Sequence, residues 1–128
     1  MQYITVYTDG SGDGHSIAVL PNGKFYVYYE EGATNNAAEY NGVIMAIMSV
    51  DPGVYLTVRC DSQLVCGHLG KDWKINHEHL LEKFNTVREL QEAKEIRLIL
   101  DWIPRKQNIA DTMLRRYLKR ERAERRMD

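Results

Sequence analysis

A chain of 128 residues with 44% hydrophobic content can bury one continuous core, and no break in composition marks a second domain. A net charge of −1 excludes a uniformly basic or acidic protein, and two cysteines are too few for a disulfide scaffold. The longest apolar runs are of strand length and no charged segment followed by an apolar run opens the chain, so neither a membrane span nor a signal peptide is expected and the protein reads as cytoplasmic.

Tyr3 to Thr8 is rich in β-branched and aromatic side chains and predicts a strand, with Asp9 opening the turn-forming run DGSGDG. His15 to Leu20 and Lys24 to Glu30 flank Pro21-Asn22-Gly23, where Asn-Gly tolerates the positive φ of a tight hairpin turn. Thr34, Asn35 and Asn36 then offer helix-capping side chains. Tyr40, Val43, Ile44, Ile47 and Val50 follow at helical spacing until Asp51-Pro52-Gly53 ends the helix. Val54 to Cys60 predicts a strand, Ser62 to Leu69 a short helix, and Leu80, Leu81, Phe84, Val87 and Leu90 a longer one. Ile96 to Ile103 predicts the last strand, and a final helix starts at about Ala110.

The order β-β-β-α-β-α-α-β-α predicts an α/β fold. The first three strands form an antiparallel meander, and strands reached through helices run parallel with right-handed crossovers. The result is one mixed five-stranded sheet flanked by helices.

In open α/β sheets, ligands collect beyond the carboxyl ends of neighbouring parallel strands. Asp9 closes the first strand and Asp61 the fourth, so the two face each other at that crevice if the strands are neighbours. Glu39 shares a helical stripe with Val43, Ala46 and Val50, and Asp111 borders the stripe of Leu114 and Leu118. Each has an ordinary explanation alone, as a turn former or as an acid near a helix start. Four carboxylates gathered at one place would repel unless cations lay between them.

Other signals point away from function. Gly10, Gly12 and Gly14 make no dinucleotide fingerprint, because a strand follows where a helix must start. Asp9, Ser11 and Asp13-Gly14 open like a calcium loop, but Leu20 stands where the closing Glu belongs. Cys60 and Cys66 read as reduced packing residues, and His77 and His79 would diverge on a helix, which argues against a shared metal. Charge is uneven: from Ile103 onward nine Lys/Arg oppose four Asp/Glu, giving +5, against −6 for the rest. The tail from about 119 is therefore either a solvated helix, in which Glu121 and Glu124 pair with its arginines, or a surface for a nucleic-acid backbone or another protein.

The segments YTDGSG with Asp9, TNNAAEY with Glu39, CDSQLV with Asp61 and WIPRKQNIAD with Asp111 resemble the four active-site motifs of type 1 ribonuclease H. The resemblance runs in order from Tyr3 to about Leu118. It implies the ribonuclease H-like fold in a compact form. The span from Gly67 to Asn76 is too short for the basic protrusion of some members, and the compact form is expected to have no separate hybrid-binding domain.

The resemblance also implies a metal-dependent endonuclease that hydrolyses the RNA strand of RNA/DNA hybrids, leaving 5′-phosphate and 3′-hydroxyl ends. Two Mg2+ ions, for which Mn2+ can substitute, would lie roughly 4 Å apart between the carboxylates. By motif position Asp9 and Asp61 contact or bridge both ions, Glu39 one ion and the 2′-OH region, and Asp111 the other ion. Asn35 resembles the family's 2′-OH reader, and Asn36 and Gln63 its minor-groove contacts. Gly10, Ser11 and Gly12 would offer backbone groups to the RNA, while Thr34 and Asn76 resemble the pocket for a DNA-strand phosphate. The loop 103–110 lacks the mobile His of many members, so Arg105 or Lys106 is expected to take its place in product release. The spacing from Asn108 to Asp111 is also one residue short of the usual pattern.

The expected partner is an RNA/DNA hybrid and the expected state a monomer. A non-catalytic hybrid-binding module would need a lost carboxylate, and none is lost. A DNA nuclease on the same fold is countered by Asn35, Asn36 and Gln63, which suit a 2′-OH beside a DNA strand.

Overall fold

The computed structural model describes residues 2–127. Strand β1 (Tyr3–Gly10) is followed by β2 (His15–Val19), β3 (Phe25–Tyr29), helix α1 (Asn35–Ser49), β4 (Tyr55–Cys60), α2 (Gln63–Gly70), α3 (Glu78–Ala93), β5 (Arg97–Trp102) and α4 (Ile109–Arg126). A 3₁₀ turn over Arg105–Gln107 leads into α4. The five strands form one sheet in the order β3-β2-β1-β4-β5. The meander pairs antiparallel and β1-β4-β5 pair parallel, as the order of elements predicts.

Local chemistry explains the boundaries. At the β2–β3 hairpin Gly23 takes φ +84° and the Asn22 side chain accepts from the Lys24 N–H, while Leu20 and Lys24 close the turn and stay out of the strands. Val54 and Ile96 likewise lie one residue outside the strands expected to include them. Ser62 is the cap of α2, accepting from the Val65 N–H, so that helix begins at Gln63.

Two cores sit on opposite faces of the sheet. On one, Val6, Leu56 and Val58 pack against Tyr40, Val43 and Ile47 of α1 and against Leu80 and Val87 of α3. On the other, Ile17 and Val19 pack against Ala110 and Leu114 of α4. Strand β2 is covered from both sides, so Ser16 to Val19 are all buried and its alternation disappears. The tail expected from about 119 continues α4 without interruption to Arg126. Glu121, expected to pair with an arginine of the helix, accepts within α4 from the Tyr117 hydroxyl and faces His15 of β2, with Oε2 3.7 Å from Nε2.

His77 and His79 also depart from expectation. His77 precedes α3 as its N-terminal cap residue, so the helical geometry that would separate the pair does not apply, and the rings lie 5.8 Å apart. Among the described residues the pair gathers no third ligand.

Candidate active site

The parallel pairing of β1 with β4 brings their carboxyl ends side by side, which places Asp9 and Asp61 at the same edge of the sheet. Glu39 reaches them from the second turn of α1 because the helix lies almost on the backbone of β1. A Cβ built on Gly10 would stand 2.4 Å from both the Ala38 carbonyl carbon and the Glu39 nitrogen, so only glycine permits this approach. One carboxylate oxygen from each of Asp9, Glu39 and Asp61 falls within 4.8 Å of the others.

The cluster is largely shielded from water. Asp9 is 6% and Glu39 5% exposed, and Glu39 Oε2 is buried without a hydrogen-bond partner. Burial, and then repulsion from Asp61, raises the Asp9 pKa to about 7. Burial, followed by Asp9 and Asp61, raises that of Glu39 to about 9. Such a set is uncomfortable as anions and well suited to a hard divalent cation, which takes oxygen ligands and would give the orphaned Glu39 oxygen a partner.

Asp111 stands at the border of this group. It is 5% exposed in the first turn of α4 and close enough to contribute to the raised Asp9 pKa. Its two oxygens are held by arginines: Arg105 Nε lies 3.2 Å from Oδ1 and Arg115 Nη2 3.0 Å from Oδ2. The structure thus gathers three of the four predicted carboxylates and neutralises the fourth. Arg105 touches the site through this ion pair, whereas Lys106 is exposed beside it.

The remaining predicted contacts form an outer rim. Asn35 and Asn36 occupy the first turn of α1, and Gln63 opens α2 two residues beyond Asp61; all three are exposed. Thr34 is exposed, with its hydroxyl accepting from the Ala37 N–H as the α1 cap. Asn76 is exposed in the connection 71–77, two residues before α3. Gly12 is exposed and Ser11 half-buried, but Gly10 is packed under α1.

Sequence reasoning missed two supports of Asp61. Asn108 is 2% exposed and donates through Nδ2 to the Thr8 carbonyl at 3.0 Å and to Asp61 Oδ2 at 3.1 Å. Its Oδ1 accepts from the Ala110 N–H and caps α4. An Asn before a helix signals a cap; nothing local signals the reach to β1 and Asp61. Trp102 Nε1 donates to the Asp61 carbonyl at 3.1 Å, a contact equally invisible in the sequence.

Comparison with known proteins agrees with this geometry. A family model described as RNase H matches residues 1–112. Over 82 residues the chain is 37% identical to the bifunctional protein Rv2228c of Mycobacterium tuberculosis and to an uncharacterized protein of Mycobacterium bovis; the match covers 59% of this chain and 21% of those relatives. The fold is similar to that of LC11-RNase H1 in complex with an RNA/DNA hybrid, with a TM-score of 0.74 and 27% identity over 85% of this chain and 91% of that one. It is also similar to RNase H1 from the halophilic archaeon Halobacterium salinarum, with a TM-score of 0.67 and 27% identity over 84% and 90% of the two chains. The N-terminal RNase H domain of Rv2228c gives a TM-score of 0.70 at 26% identity over 88% and 90%.

Proposed function

Since the chain belongs to the type 1 ribonuclease H family, we propose that it hydrolyses the RNA strand of RNA/DNA hybrids, leaving 5′-phosphate and 3′-hydroxyl ends. The observation that carries this reading is the convergence of Asp9, Glu39 and Asp61 within 4.8 Å, with a buried Glu39 oxygen left unpartnered. Asp9, Glu39, Asp61 and Asp111 would hold two Mg2+ ions, or Mn2+ in their place. Ions held there would supply activation of an attacking water and stabilisation of the charge on the leaving oxygen of an in-line displacement.

The protein's own groups prepare that chemistry. Asn108 and Trp102 fix Asp61 from its side chain and its backbone, so its carboxylate is oriented before substrate arrives. Asn35, Asn36 and Gln63 stand on the rim where a minor groove would pass, with amide groups that can read 2′-hydroxyls and base edges. Thr34 and Asn76 would hold a phosphate of the DNA strand, and the Gly10 to Gly12 backbone would follow the RNA. Arg105, exposed and paired with Asp111, or its neighbour Lys106 would take up a product phosphate in the role of the missing loop His, a reading supported by the Arg105–Asp111 ion pair at the border of the site.

Cleavage of matched RNA/DNA, RNA/RNA and DNA/DNA duplexes with Mg2+ or Mn2+ tests the reading. The hybrid should be cut fastest, all-RNA duplex weakly and all-DNA duplex hardly at all. Efficient cutting of all-DNA duplex would defeat it and favour a DNA nuclease on the same fold.

A further inference from the structure

Cys60 is the last residue of β4 and the immediate neighbour of Asp61, while Cys66 lies one turn into α2. Both are buried and free, and their sulfurs are 3.2 Å apart, in contact through an S–H···S hydrogen bond. The five residues between them include Asp61, the Ser62 cap of α2 and Gln63. Cys66 also forms part of the wall of a surface cavity of about 350 Å³, together with Gln63, Lys71, Trp73, Leu100 and Trp102. A small oxidant therefore has a route to one sulfur and the second sulfur already waits behind it.

We propose that Cys66 is a site of oxidation by hydroperoxides and that Cys60 resolves it, closing a disulfide that switches the neighbouring catalytic site off. The thiolate of Cys66 attacks the peroxide: an S–O bond forms, the O–O bond breaks, and the released hydroxide takes up a proton as water. Cys60 then attacks the sulfenic sulfur, forming the S–S bond and breaking S–O. Its thiol proton leaves with that oxygen as a second water. Two electrons pass from the two thiols to one peroxide. The hydrogen bond from Cys60 favours the thiolate of Cys66, holding its pKa below the ordinary thiol range.

The switch follows from the distances. A disulfide needs its sulfurs about 2.05 Å apart, so the pair must close by about 1 Å from its present 3.2 Å. Asp61 is bonded directly to Cys60, and its carboxylate is held by Asn108 at 3.1 Å. Drawing the end of β4 toward α2 pulls Asp61 against that contact, and a displacement of about 1 Å at a reacting centre costs on the order of 10²-fold in rate. The effect on cleavage rests on the ribonuclease reading, whereas the disulfide itself does not.

Hydrogen peroxide treatment of the full chain, followed by mass analysis of the tryptic peptide 60–71 and by hybrid cleavage with Mg2+, tests the proposal. The peptide should lose two hydrogens, cleavage should fall on the order of 10²-fold, and dithiothreitol should restore both. Cys66→Ser should keep its cleavage rate under peroxide. Should that variant fail to fold, the dithiothreitol reversal on the natural chain decides alone. Two thiols that stay free under peroxide, or a disulfide that forms with cleavage unchanged, would overturn the proposal. A reduced protein that never cuts hybrid would instead overturn the functional reading, and the peptide mass would still report on the disulfide.

Discussion

Asn108 Nδ2 lies 3.1 Å from Asp61 Oδ2, joining the start of α4 to the end of β4 across the carboxyl edge of the sheet. The same amide bonds the Thr8 carbonyl and caps α4, so one buried side chain ties together the three elements that bear Asp9, Asp61 and Asp111. Asn108→Ala should therefore lower stability by about 1–3 kcal/mol through the unpaired groups it leaves, measured by urea denaturation. Its single-turnover cleavage should fall more than its hybrid affinity. Unchanged cleavage at reduced stability would confine Asn108 to a structural role.

Such long-range bonds explain what could be read in the sequence and what could not. Alternation in Tyr3 to Thr8, the Asn22-Gly23 turn and the stripe on α1 are local, and they lead to the observed strands and helices. Glu39 and Asp111 are flagged by their place beside apolar stripes. The pairing of Asp111 with Arg115 is one helical turn apart in α4 and belongs with these local signals, whereas the reach of Asn108 over a separation of one hundred residues depends on tertiary packing, which no periodicity encodes. The packing of α1 on Gly10 is hidden for the same reason: in sequence Gly10 belongs to a turn-like run.

The raised carboxylates predict an unusual pH dependence. Without divalent ions, folded Asp9 and Glu39 keep protons that the unfolded chain has already released above the ordinary carboxylate range. The folded state binds more protons there, so stability falls as pH rises through about 7 and then about 9. Denaturation midpoints measured across that window should decline, and Glu39→Gln should flatten the decline. Added Mg2+ should restore the midpoint and release protons. A flat profile in the metal-free natural chain would contradict the described electrostatics.

Replacing Arg105 and Lys106 together with Ala should slow multiple-turnover cleavage more than single-turnover cleavage, with hybrid affinity nearly kept. That pattern places the loss in product release. Equal losses in both rates would instead assign Arg105 to positioning Asp111.

Truncation after Leu118 removes no buried residue among the described ones and should leave the fold and the chemistry intact. It removes several arginines of α4, so hybrid affinity should fall and its dependence on salt should flatten. An unfolded product would show that the contact of Glu121 with His15 is structural, and an unchanged salt slope would remove the helix end from the hybrid interface.

On the proposed function, Asp61 serves as a charged ligand among three converging carboxylates. The most direct measurement compares the natural chain with Asp61→Asn, following hybrid cleavage in Mg2+ and hybrid binding by fluorescence anisotropy. The substitution keeps the shape and removes the charge, so cleavage should fall by at least about 10²-fold while binding stays close to that of the natural chain. Comparable turnover by Asp61→Asn in Mg2+ would contradict the account.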